Sequence, residues 1–139
     1  MNEVTPWSEM MPQRILVIDD EESVRFVVQE ILAFAGYEVT TAPNGKVGLQ
    51  LFRKDPTDLI ITDIFMPEME GLETIRELRR EFPRLKIIAM SGGGESGMLS
   101  FLTYAKRFGA LRTLRKPFSR QELLITVQEL LAADEPPTA

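Results

Sequence analysis

From Arg14 onward the chain alternates strand-like and helix-like segments five times, and this alternation narrows the available architectures more than any other feature. Parallel strands need a crossover long enough to carry the chain back to the starting edge, and a helix supplies it. Strands are expected near residues 14–18, 37–41, 58–62, 86–90 and 111–115. The first, third and fourth are almost continuously apolar (ILVI, LII, IIAM), as suits central strands covered by helices on both faces. The second and fifth alternate instead: Tyr37, Val39 and Thr41 against Glu38 and Thr40, and Leu111 and Thr113 against Arg112. Half-exposed edges read that way, and strand order 2-1-3-4-5 satisfies both observations.

Five helices complete the pattern. Val24, Val27, Val28, Ile31, Leu32 and Ala35 recur at helical spacing, and Gly36 ends that run. A second, less regular helix falls near 44–54. Leu72, Ile75, Leu78 and Phe82 mark a third, stopped by Pro83, and Met98, Leu99, Leu102, Ala105 and Phe108 mark a fourth. Ser119 and Glu122 have capping-box spacing ahead of Leu123, Leu124, Val127, Leu130 and Leu131. Residues 1–13, interrupted by Pro6 and Pro12, read as an N-terminal tail whose Trp7 is able to dock on the body. One domain is expected over 14–133, with a polar tail over 134–139 and no further domain attached.

Composition removes several chemistries. The chain has Cys 0 and His 0, which excludes disulfides, thiolate nucleophiles, zinc sites and Ser-His-Asp triads, so any metal must be held by oxygen. No apolar run reaches bilayer length and the N-terminus lacks a secretory pattern, so a cytoplasmic protein without membrane insertion is expected. A net charge of -5 argues against direct nucleic-acid binding through a broad basic surface. Arg112, Arg115 and Lys116 form a local basic patch, to be read either as a contact or as a solvated sheet edge.

Four expected strands end in polar residues suited to phosphoryl chemistry: Asp19-Asp20, Asp63, Ser91 and Lys116. Ligands of an open parallel sheet bind at the carboxyl ends of the strands, where these residues converge. The acids at 19–22 also suit the first turn of a helix, and a strand-end serine is ordinary turn chemistry. Asp63 on the neighbouring strand adds a third carboxylate, and such a cluster either raises its own pKa values or binds a hard cation such as Mg²⁺. Asp63 is the candidate nucleophile for an aspartyl phosphate, with Lys116 and Ser91 placed to meet phosphoryl oxygens.

VIDDEESVR, TDIFMPEMEG, the strand-end Ser91 and RKPF, in this order, resemble a bacterial response-regulator receiver domain of the stand-alone type over about residues 14–133. The resemblance implies a flavodoxin-like α/β fold and a phosphoacceptor Asp63 served by a histidine kinase or histidine phosphotransfer protein. It implies Mg²⁺ held by Asp20, Asp63 and the Phe65 backbone carbonyl, with Asp19 acting mainly through a metal-bound water. It also implies a cis Lys116-Pro117 peptide and an output passed by protein contact to a downstream protein that the sequence does not name. The chain would be no enzyme beyond catalysing its own Mg²⁺-dependent phosphorylation and dephosphorylation. A phosphohydrolase of the haloacid dehalogenase type is a second reading, although its second Asp, two residues after the nucleophile on the first strand, is replaced by Glu21. A third is a receiver-like binding module that is not phosphorylated.

The chain departs from the family in two places. Thr113 stands where an aromatic switch is usual, three residues before the lysine, which turns attention to Tyr104 and Phe101 as substitutes or as packing residues. Phe65 stands where a polar residue is common, and its bulk is expected to slow hydrolysis of the phosphoryl group. Gly92, Gly94 and Gly97 match G-x-G-x-x-G but sit on the fourth strand, so Gly92 and Gly93 read instead as a loop that follows Ser91. Phe26 lies off the apolar stripe of the first helix, either as an ordinary exposed residue or as an anchor for the phosphodonor.

Overall fold

The computed structural model describes residues 11–66, 71–92 and 98–133, and the backbone alone at 98–102. Strands β1 (Arg14–Ile18), β2 (Glu38–Ala42), β3 (Leu59–Asp63), β4 (Lys86–Ser91) and β5 (Arg112–Arg115) form one parallel sheet ordered β2-β1-β3-β4-β5. Helices α1 (Glu22–Phe34), α2 (Gly45–Lys54), α3 (Gly71–Glu81), α4 (Met98–Phe108) and α5 (Arg120–Ala132) connect and flank the strands. Flavodoxin-like α/β topology and the expected strand order both follow. No helix among the described residues is long and apolar enough to cross a membrane.

The apolar runs of the central strands hide a period of two, because successive side chains enter opposite layers. Leu16, Ile18, Ile60, Ile87 and Ala89 pack with Phe52, Ile75, Leu78 and Ala105 on the side of α2, α3 and α4. Ile15, Val17, Leu59, Ile61, Ile88 and Met90 pack with Val28, Leu32, Leu123, Val127 and Leu130 of α1 and α5. Both layers exclude water, so the sheet is a fixed platform for what its strand ends carry.

Several element boundaries differ from the sequence reading. β2 starts at Glu38, since the Tyr37 N–H turns back to the Leu32 carbonyl at the end of α1, where Gly36 takes φ 102°. β3 runs through Asp63, and the next N–H, that of Ile64, still reaches the Met90 carbonyl. β4 likewise includes Ser91, and in β5 the buried residue is Leu114 while Thr113 is half-buried. Val27, expected in the α1 stripe, is 53% exposed. The Ser119–Glu122 capping box is present, and Asn44 supplies an unanticipated cap, accepting the Val47 N–H at 2.9 Å.

Arg79 holds the opposite end of the sheet. Its guanidinium donates to the carbonyls of Phe82, Pro83, Leu85 and Gly109, joining the end of α3, the loop into β4 and the turn between α4 and β5.

Candidate functional site

β1 and β3 are neighbours, so Asp19 and Asp63 emerge side by side, and Asp20 follows on the turn into α1. Asp19 and Asp63 are buried and Asp20 is exposed, and one carboxylate oxygen from each lies within 4.8 Å of the others. Lys116 arrives from the end of β5. Its Nζ stands 2.7 Å from Asp19 Oδ2, 3.6 Å from Asp63 Oδ2 and 4.0 Å from Glu21 Oε1. The Lys116-Pro117 peptide is cis.

The two carboxylate oxygens of Asp19 meet different partners. Its Oδ1 accepts the Glu21 N–H at 2.9 Å and so shapes the entry to α1, while Oδ2 pairs with Lys116. Arg25 donates to the Asp19 carbonyl at 2.8 Å, fixing the turn from the first helix. The Asp63 carboxylate accepts the Phe65 N–H at 3.3 Å, leaving the Phe65 ring 45% exposed beside it.

Burial pushes the Asp63 carboxyl up to about 6; Lys116 pulls it down, Asp19 and then Asp20 push it up, and the Phe65 N–H opposes them. Burial alone would lower the Lys116 ammonium. The hydrogen bond to Asp19 and the charges of Asp63, Asp19 and Glu21 outweigh that, and its pKa ends above the ordinary lysine value. The site is an ammonium enclosed by acids, with the Asp63 carboxyl held above its ordinary range. An all-oxygen set of this kind fits a hard divalent cation, which would also relieve the mutual repulsion of the acids.

Ser91 is fully buried at the end of β4, its hydroxyl 3.3 Å from the Gly92 carbonyl. The Lys116 N–H donates to the Ser91 carbonyl at 2.7 Å, and a Cβ on Gly92 would come within 3.3 Å of Lys116 Cδ. Ser91 and Gly92 are thus tied to the lysine through backbone and packing. Thr113 lies opposite Ala89 on β4, and Tyr104 is 47% exposed on α4, its ring 6.5 Å from that of Phe108. Phe26 is 59% exposed on α1, near a cleft of about 500 Å³ lined by Val24, Val27, Val28, Pro117 and Phe118. Gly93, Gly94, Gly97, Trp7, the Phe101 side chain and the 134–139 tail lie outside the described residues.

Two contributors escaped the sequence reading. Arg25 lies within VIDDEESVR, and its only signal is its distance of six residues from Asp19. Gly71 opens α3 against β3, where an added Cβ would meet the Asp63 carbonyl oxygen at 2.1 Å and Ile64 Cα at 2.3 Å. A glycine closing TDIFMPEMEG was its visible trace.

Fold and site together define a class: doubly wound α/β domains with an acidic cluster and a lysine at the topological switch point of the sheet. The chain belongs to the response regulator receiver domain family, whose model matches residues 15–128. Membership of this family favours the phosphoacceptor-switch reading over the phosphohydrolase and unphosphorylated-module readings. The chain is 30% identical over 122 residues to sporulation initiation phosphotransferase F of Bacillus subtilis (strain 168), covering 88% of this chain and 96% of that protein. It is 36% identical over 118 residues to regulatory protein AtoC of Escherichia coli (strain K12), covering 85% of this chain and 25% of that protein. The chain therefore spans about a quarter of AtoC and of another curated relative, and about half of several more. A response regulator receiver domain protein from Clostridium thermocellum superposes with a TM-score of 0.79 at 33% identity, covering 86% of this chain and 94% of that one.

Proposed function

We propose that Asp63 is the phosphoacceptor, and that the domain, spanning 14–133, takes its phosphoryl group from the phosphohistidine of a histidine kinase or phosphotransfer protein in the cytoplasm. An Asp63 carboxylate oxygen attacks phosphorus; the P–N bond of the donor breaks, and its electron pair stays on the imidazole nitrogen, which is then protonated. The position of Lys116 Nζ, between Asp19 at 2.7 Å and Asp63 at 3.6 Å, carries this reading. It places a fixed positive charge beside the acceptor, where a transferred phosphoryl group brings new anionic oxygens.

Asp20, Asp63 and the Phe65 carbonyl would hold Mg²⁺, with Asp19 contributing through a water. When bound, the ion neutralises charge on the phosphoryl oxygens. Asp19 orients the lysine, Arg25 steadies the turn that carries both acids, and the Ser91 hydroxyl would turn from the Gly92 carbonyl to a phosphoryl oxygen. That rotation would pull on the Ser91-Gly92 segment and so pass the modification to a downstream protein; neither Thr113 nor Tyr104 is needed for it. Phe26 and the α1 cleft would receive the donor.

Acetyl phosphate with Mg²⁺, followed by peptide mass spectrometry, tests the assignment. A lasting adduct on Asp63, absent from Asp63→Asn, is expected. An adduct elsewhere, or steady phosphate release over many turnovers, overturns it.

A further inference from the structure

α1 and α5 pack on the same face of the sheet, and where they end, at the starts of β1 and β2, they leave a groove of about 570 Å³. Small residues keep it open. Ala35 and Gly36 follow the last turn of α1, Ala132 ends α5, and a Cβ built on Gly36 (φ 102°) would meet nothing within 4 Å. Tyr37 and Leu131, both half-buried, give the groove apolar depth, and Met11, 52% exposed, lines it from the lead-in to β1. The Lys86 ammonium donates to the Leu131 and Ala133 carbonyls at 3.2 and 2.6 Å, so the end of α5 is held in place from β4. Gln13 and Gln128 complete the lining, and among the described residues neither side-chain amide, nor the Tyr37 hydroxyl, has a hydrogen-bond partner.

We propose that this groove is an intramolecular docking site for the N-terminal segment, with the indole of Trp7 as the group that fills it. Met11 lines the groove itself, so the chain before it sets out from the site, and Trp7, four residues earlier, has a reach of at most about 14 Å. That short tether gives a high effective concentration and favours this segment over the same segment of a second copy. An indole matches the lining: its ring offers a large apolar area, and its one N–H seeks an acceptor that either glutamine amide supplies. Residues 134–139 also set out from the groove, but they read DEPPTA, with no aromatic or branched apolar side chain, and their two acids directly follow the negative end of α5. Small exposed residues are ordinary where a helix simply ends. That reading does not account for Met11, Tyr37 and Leu131 converging on one open volume from three separate segments.

The groove lies at the opposite ends of the strands from Asp63, and the proposal does not rest on the phosphoacceptor reading. Docked there, Trp7 would tie the lead-in to β1 to the ends of both helices and so brace the layer that α1 and α5 form.

Trp7 is the chain's one tryptophan, so the intrinsic fluorescence of the full chain reports on it alone. Expected are emission at shorter wavelength than in urea, acrylamide quenching about threefold weaker than in urea, and nuclear Overhauser contacts from the indole to the Leu131 and Ala132 methyls. Ala132→Glu places a carboxylate in the groove and should raise quenching towards the level in urea. Ala33→Glu, the same change at an exposed site in the last turn of α1 outside the groove, should leave quenching unchanged. Trp7→Ala should lower the melting temperature by about 3 °C or more, Trp7→Phe by less. Amide resonances moved by Trp7→Ala should cluster at 11–13, 35–37 and 128–132, a readout that holds even where a groove variant fails to fold. Quenching as strong as in urea, shielding that survives Ala132→Glu in a folded variant, shielding that falls on dilution, resonances moved elsewhere, or contacts of the groove methyls to Pro136 or Pro137 in place of the indole would each overturn the proposal.

Discussion

Replacing Asp63 by Asn should stabilise the metal-free protein at neutral pH, and the structure sets the size of the gain. Burial pushes the Asp63 carboxyl from its ordinary 3.8 to about 6, so between those values the folded chain holds a proton that the unfolded chain has released. Stability from this group is therefore complete below about pH 3.8 and is lost as pH rises through about 6. A shift of about two pK units corresponds to roughly 3 kcal/mol in the ionised state, or about 10 °C in melting temperature for a domain of this size. Thermal melts in chelator should show Asp63→Asn well above the unsubstituted chain at about pH 7.5, with the gap closing towards about pH 5. Mg²⁺ should raise the melting temperature of the unsubstituted chain more than that of the variant. A gap that stays constant with pH, or an Asn variant less stable at neutral pH, would refute the electrostatic account.

Lys116→Ala leaves Asp19 buried with its charge partner removed and should cost about 3 kcal/mol in urea denaturation, besides abolishing acetyl phosphate uptake. Gly71→Ala puts a methyl group 2.1 Å from the Asp63 carbonyl oxygen. Backbone must move, so both stability and phosphoryl uptake should fall together, and an alanine variant with unchanged uptake would mean that α3 does not position the acceptor. Phe65→Asn removes the exposed ring beside Asp63 and should shorten the phosphoryl half-life several-fold; an unchanged half-life in a radiolabel chase counts against a shielding role.

The fold was legible because short strand-like runs alternate with helical stripes. ILVI, LII and IIAM are too short for helices and too apolar for edge strands, so they read as strands covered on both faces, and the amphipathic stripes of α1, α3 and α5 supplied the cover. Boundaries were less visible, since the first ladder bond of β2 depends on where the Tyr37 N–H goes, which is settled by the end of α1. The acidic cluster and Lys116 were legible as strand-end residues once the strand order was known. Their division of labour was not: that Asp19 is buried against the lysine while Asp20 stays exposed follows from the angle of the turn into α1. Gly71 and Arg25 act through backbone contacts, which leave almost no trace in residue type. Val27 misled because helical spacing alone does not tell which part of a wide apolar stripe meets the sheet.

Arg79 has a mechanical consequence. By clasping four carbonyls it fastens the far end of α4 to α3 and to the root of β4, while the near end of α4 follows the Ser91 loop in the chain. A helix clamped at one end and pulled at the other swings about the clamp. Any tilt of α4 would thus have its greatest amplitude near residue 98 and fall towards Gly109, and loosening the guanidinium clasp would turn a lever into a sliding rod.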